Sequence, residues 1–220
     1  MTVRKLPALS EAPPPAPDPL VAAAELRPSP VDLAAVSAAV GRILAAVGED
    51  PDREGLVGTP GRVARAYDEL LSGYRADPHA LLNGALYDEP CEDMVLVRDI
   101  RFHSLCEHHL LPFHGRVHVA YLPRGRVIGL SKIPRVVDMF ARRLQIQERF
   151  ARQVGDFLEA ALNPRGLAVV VEGHHMCASM RGVRKDDADM VTRSLRGAFA
   201  DNESLRRELM MQLAAPRAGA

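Results

Sequence analysis

Two short tracts of metal-binding residues, far apart in the chain, constrain its fold most. One is Cys106-Glu107-His108-His109 and the other His174-His175-Met176-Cys177. Cys thiolate and neutral imidazole are the ligands zinc prefers. Cys106 and His109 form a C-x-x-H pair, a spacing that reaches one ion from a tight turn. Cys177 can supply a third ligand only if the fold brings together segments 71 positions apart. Five of the eight His lie between His103 and His118, and two more are His174 and His175, a clustering that points to one site. Three protein ligands leave a tetrahedral ion one open position, the mark of a catalytic centre, with His108 and His175 beside it for proton transfer. A closed structural site, with His108 or His175 as fourth ligand, fits the spacing equally well.

The 220 residues suffice for one domain with a real core. Formal net charge is zero, so no global field draws in nucleic acid or an anionic membrane. Neither is expected as a partner, and an anionic ligand needs a local basic cluster. Three Cys, two of them ligand candidates, fit a reducing compartment better than a disulfide scaffold. Cys91 reads as an idle thiol. The N-terminus has no apolar segment of signal-peptide type, and no run approaches the roughly 18 apolar residues of a membrane span. The expected location is the cytoplasm.

Eight of the 17 Pro fall in residues 1–30, a segment expected to stay disordered. Val31 to Val47 carries a helical apolar stripe stopped by Gly48. Thr59-Pro60 starts a second helix, a hydroxyl followed by Pro at the first helical position; Gly73 ends it. Arg62 in its first turn opposes the helix dipole, which hints at an anionic partner. Residues 74–92 resist assignment. Met94 to Leu105 and Gly115 to Leu122 read as strands, the second with a clear period of two, and Val127 to Leu130 as a third. Helices follow over about Ser131–Arg143 and Ile146–Leu162. Strands over Leu167–Glu172 and Val191–Phe199 and a helix capped by Asn202 complete the pattern. Runs of strands and runs of helices argue for an α+β fold with helices on one face of an antiparallel sheet. Such a sheet would bring its strand ends at Cys106 and Cys177 together.

The tract from Leu105 to Phe113, Gly129-Leu130-Ser131-Lys132-Ile133, Gln145-Ile146-Gln147-Glu148-Arg149, and His174 to Cys177 with Arg181-Gly182 together resemble GTP cyclohydrolase I. The resemblance runs from about Val31 to Leu213. It implies the tunnelling fold, an antiparallel sheet with two helices on one face, preceded by an N-terminal helical segment. On that reading residues 1–30 are a tail, 31–92 the helical segment, 93–213 the catalytic domain and 214–220 a second disordered tail. Sheet edges would join subunits into pentamers, two of which stack as a homodecamer with sites between subunits.

The resemblance also implies zinc on Cys106, His109 and Cys177, with the open position that favours catalysis. It implies hydrolytic opening of the GTP imidazole ring, loss of formate and rearrangement to 7,8-dihydroneopterin triphosphate, the first step of tetrahydrofolate-type or pterin-type biosynthesis. His108 and His175 would be the catalytic bases and acids, since imidazole titrates near neutral pH. Arg62, Ser131, Lys132, Arg135 and Arg181 would hold the triphosphate. Glu148, with Gln147 beside it, would take the guanine edge. Glu107 reads either as a group that orients the site from behind or, equally, as a residue exposed on the turn. One departure stands out. Asp186, Asp187 and Asp189 occupy a loop where the family usually has small and hydroxyl residues. Three carboxylates facing the triphosphate would weaken GTP binding; facing solvent they would not. The competing reading is a non-catalytic or altered-substrate paralogue with a structural zinc.

Overall fold

The computed structural model describes residues 18–26 and 29–216. Most of the Pro-rich tail lies outside the described residues, as do the last four positions. Residues 18–26 depart from the expectation of disorder. Asp18 caps a short helix, α1 (Pro19–Ala24), by accepting from the N–H groups of Leu20 and Val21. Ala24 is fully buried in the main core. Proline is no obstacle here, because Pro19 takes the first helical position, where no N–H is needed.

The two helices expected next are α2 (Leu33–Ala46) and α3 (Thr59–Leu70), which pack on each other. None of the residues of α2 is buried. The stretch that sequence left unassigned holds a 3₁₀ turn (Ser72–Arg75), α4 (Pro78–Leu82) and β1 (Leu86–Asp88). β2 (Val95–Cys106) and β3 (Pro112–Leu122) form a long antiparallel hairpin. β4 (Arg126–Ile128) turns back to pair with β1, so residues on both sides of position 92 share a ladder.

Next come α5 (Lys132–Ala141), β5 (Leu144–Gln145), α6 (Gln147–Leu162), β6 (Gly166–His175), α7 (Met176–Ser179), β7 (Met190–Gly197), α8 (Ala198–Asp201) and α9 (Glu203–Ala214). Asn163 closes α6 in the left-handed conformation and Pro164 prevents its continuation. The main sheet runs β5-β2-β3-β6-β7 and is antiparallel throughout, except that the two-residue β5 lies parallel to β2. No helix among the described residues is long and apolar enough to cross a membrane.

Strand alternation divides the sheet into two unlike faces. One face presents Phe102, Phe113, Val117, Val119, Val169 and Val171. Against these pack Val136, Phe140, Phe150, Val154, Phe157 and Leu158 from α5 and α6. Each such side chain contributes about 1.5–3 kcal/mol through burial, so this layer is the main source of stability. It is the expected layer of two helices on one face. α8 and α9 cover one end of the opposite face through Phe199 and Leu209, over Ala120 and Ala168.

The rest of that opposite face is polar. Register aligns His103, His114 and His174 in one row and Arg101, Arg116 and Glu172 in the next. The expectation that the clustered His share one site is therefore corrected. His103, His114, His118 and His174 alternate with core residues and face away from the two Cys.

Candidate active site

The end of the β2–β3 hairpin builds half of the site. Cys106 donates its N–H to Leu111 O at 2.9 Å, and Leu110 N donates to Cys106 O at 2.8 Å. Leu110 is forced to φ 53°, a left-handed conformation that a branched side chain rarely adopts. A strain of order 1–3 kcal/mol is tolerated where surrounding structure over-determines it. The surroundings do so here. Glu107 N donates to Gln145 O at 3.0 Å, and the Glu107 carboxylate accepts a hydrogen bond from Arg149 Nη2. Arg149 also donates to Gln145 Oε1 (3.1 Å) and Leu144 O (2.9 Å). The hydrogen bond from Arg149 holds the Glu107 carboxyl below the usual carboxylate range. Glu107 thus braces the loop rather than facing solvent.

The end of β6 builds the other half. Across the sheet Phe113 pairs with His175, and α7 then carries Cys177 back over the hairpin turn. Cys106 Sγ lies 3.9 Å from Cys177 Sγ and 3.8 Å from His109 Nδ1. All three donor atoms fall within 4.8 Å of one another. A tetrahedral zinc with Zn–S bonds near 2.3 Å requires sulfur atoms about 3.7 Å apart. The three donor atoms are therefore spaced so that they could hold one metal ion. Burial, then the neighbouring Cys106 sulfur, pushes the Cys177 thiol up; Arg181 opposes this. Two sulfurs this close favour a cation between them over two free thiolates.

His175 sits beside this centre. Its ring stacks on Phe113 with centroids 4.6 Å apart and planes within 3°. Its Nε2 lies 2.9 Å from Gln147 Oε1. Burial pulls the imidazole below its usual range against the pull of the Glu148 carboxylate, so the neutral ring is favoured near pH 7. His108 projects from the turn, largely exposed, 4.0 Å from Glu107.

The remaining expected positions divide. Glu148 is exposed in the first turn of α6, and its field reaches His175. Arg181 is exposed just past α7, and its field reaches Cys177. Ser131 and Arg135 are exposed at the start of α5, and Ser131 makes no capping bond to the helix. Arg62 is exposed, and its Nη2 donates locally to Gly55 O and Thr59 Oγ1.

Two of the expected substrate-contact side chains, Lys132 and Gln147, are turned inward in the chain alone. Lys132 is buried and donates Nζ to Leu81 O at 2.9 Å. Gln147 is buried, and its amide is occupied by Val171, Met190 and His175 rather than open to a base. The acidic loop is exposed from Arg181 to Asp189, and Asp189 lies 3.2 Å from His174 on the polar sheet face.

Phe113, Gly173 and Arg149 escaped the sequence reading as parts of the site. A glycine inside a strand directly before a His-His pair does signal a close approach. At Gly173 a Cβ would stand 2.2 Å from Gln147 Oε1. The stacking of Phe113 and the reach of Arg149 had no local signal, since each depends on pairing between distant strands.

Fold and site together define an α+β protein with a Cys-His-Cys set able to hold a metal ion, and an imidazole held at the same sheet end. The family model described as GTP cyclohydrolase I matches residues 36–214, and the chain belongs to that family. It is 54% identical over 168 residues to "GTP cyclohydrolase 1" of Leptospira biflexa serovar Patoc, covering 76% of this chain and 92% of that relative. It is 52% identical over 178 residues to "GTP cyclohydrolase 1" of Chlorobaculum tepidum, covering 81% and 80%. The protein of that name from Methylococcus capsulatus is 53% identical over 169 residues, covering 77% and 91%. The α+β architecture seen here is the tunnelling fold of this family.

Proposed function

We propose that this chain is a zinc-dependent GTP cyclohydrolase I, which opens the imidazole ring of GTP, releases formate and yields 7,8-dihydroneopterin triphosphate. The convergence of Cys106, His109 and Cys177 beside His175, in a chain so similar to named GTP cyclohydrolases, carries this reading. Zinc held by those three residues would supply Lewis acidity and an activated water.

The chain's own groups supply the rest. Phe113 and Gln147 hold His175 in place, so it can exchange protons with the substrate without reorienting. His108, on the exposed turn, serves as the second proton carrier. Glu148 presents a carboxylate that accepts from guanine N1–H and the 2-amino group. Arg62, Ser131, Arg135 and Arg181 provide counter-charge and donors for the triphosphate. Lys132 can join them only by leaving Leu81 O.

The assembly we propose is a homodecamer with sites between subunits, in a reducing cytoplasm. Three features support a site completed by neighbours: the bare face of α2, the β7 edge paired on one side only among the described residues, and Arg62 held within its own segment. The three cysteines are free, in keeping with a reducing setting.

The test is product formation. GTP should give formate together with a neopterin phosphate that fluoresces after mild oxidation, and ATP should not. Glu148→Gln should lose about 1–3 kcal/mol of guanine recognition, a rise in KM between about fivefold and about 150-fold. GTP left intact by metal-loaded protein would end this reading.

A further inference from the structure

We infer that Gln147 is a positioning residue that fixes the tautomer of His175, placing the ring proton on Nε2 and leaving Nδ1 as the nitrogen that meets the substrate. This rests on the function proposed above and assigns Gln147 a role other than base recognition.

The argument starts from the amide. One end of a glutamine side chain only accepts and the other only donates. Gln147 Nε2 lies 3.0 Å from Val171 O and 2.8 Å from Met190 O, with Thr192 Oγ1 at 3.3 Å. Two carbonyl oxygens can only accept, so the NH₂ group must face them. The flipped amide would set oxygen against two oxygens and lose both bonds. The orientation is therefore decided by the β6–β7 backbone, not by the histidine.

Oε1 then points at His175 Nε2, 2.9 Å away. An amide oxygen cannot donate, so the ring must, and in neutral imidazole the proton sits on Nε2. Nδ1 keeps its lone pair and has no partner among the described residues. Phe113, stacked at 4.6 Å, blocks rotation of the ring out of this alignment.

The backbone is built to admit this contact. Gln147 reaches the strands beside Gly173, where a Cβ would stand 2.2 Å from Oε1 and 3.0 Å from Cδ. Gly173 pairs directly with Gly115 on β3, where a Cβ would stand 1.9 Å from Glu172 O. Gly115 lets the two strands lie close, and the Gln147 amide occupies the space that a side chain at Gly173 would need.

The first test needs no substitution. Nitrogen-15 spectra of protein labelled at histidine, with the His175 signals assigned by difference against His175→Asn, report which ring nitrogen carries hydrogen. An Nε2–H form in the metal-loaded protein without GTP supports the assignment, and an Nδ1–H form overturns it.

The second test is kinetic. Gln147→Leu and Gly173→Ala should each lower kcat by about 10–100-fold with KM changed less than about twofold. Zinc content should stay at the wild-type level. A loss that falls on KM instead, as a guanine contact would give, overturns the inference. The tautomer is read without substrate, so failure of the wild type to release formate would count against the proposed function alone.

Discussion

Replacing Arg143 by Met should detach the N-terminal segment from the core. Arg143 is only 2% exposed. Its guanidinium donates to Ala24 O at 2.7 Å, Gly73 O at 2.9 Å and Met139 O at 3.0 Å, and lies 4.6 Å from the Phe140 ring. One side chain thus ties α1 and the 3₁₀ turn to α5. Met retains the apolar stem and most of the volume, so the loss is polar. The carbonyls of Ala24 and Gly73 would be left buried without their donor, at about 1–3 kcal/mol each. Relief from desolvating a cation offsets part of this. The expected net loss is about 3 kcal/mol, roughly a hundredfold in the folding equilibrium. Urea unfolding should show a lower midpoint at an unchanged slope. Limited proteolysis should find new cleavage in residues 18–26 before the sheet is cut. A loss below about 1 kcal/mol, or a large loss with that segment still protected, would refute the reasoning.

Zinc binding should release the proton of the Cys177 thiol, whose raised pKa keeps it protonated near neutrality. Competition with a chromogenic chelator should therefore show affinity rising about tenfold or more per pH unit between pH 6 and 8; a flat profile would contradict the site. Glu107→Gln should destabilise the hairpin turn only where the carboxylate is charged. Its folded pKa is lowered by Arg149, so the stability it adds is present above the unfolded carboxylate value and is lost as pH falls through the folded one. Denaturation midpoints of wild type and variant should differ at pH 7 and converge in acid. Phe157→Ala should cost about 3–5 kcal/mol by emptying the layer between α6 and the sheet, measured by urea unfolding.

The sheet and its two helices were legible because their periods are clean. Val117, Val119 and Tyr121 alternate along β3, and Phe150, Val154, Phe157 and Leu158 recur along α6. The convergence of Cys106, His109 and Cys177 was legible too, since a C-x-x-H pair and a distant Cys at a strand end have few other uses. α1 was not, because its stability comes from Arg143, 119 positions from Ala24. The His clustering misled for a related reason. Strand alternation sends His103 and His114 to one face and Cys106 and Phe113 to the other, and position along the chain does not reveal that division. Lys132 and Gln147 look like substrate contacts in sequence. What sequence could not show is that, in the chain alone, they donate to Leu81 O, Val171 O and Met190 O. The acidic loop, ambiguous in sequence, is exposed and reaches back to His174 through Asp189.

Formate release from GTP by the same protein as purified, after chelation, and after zinc is returned tests the central claim most directly. The account predicts turnover that chelation abolishes and one zinc per chain restores, with Cys177→Ser unable to recover. Turnover that persists after complete metal removal, or its absence from protein holding one zinc per chain, would contradict it.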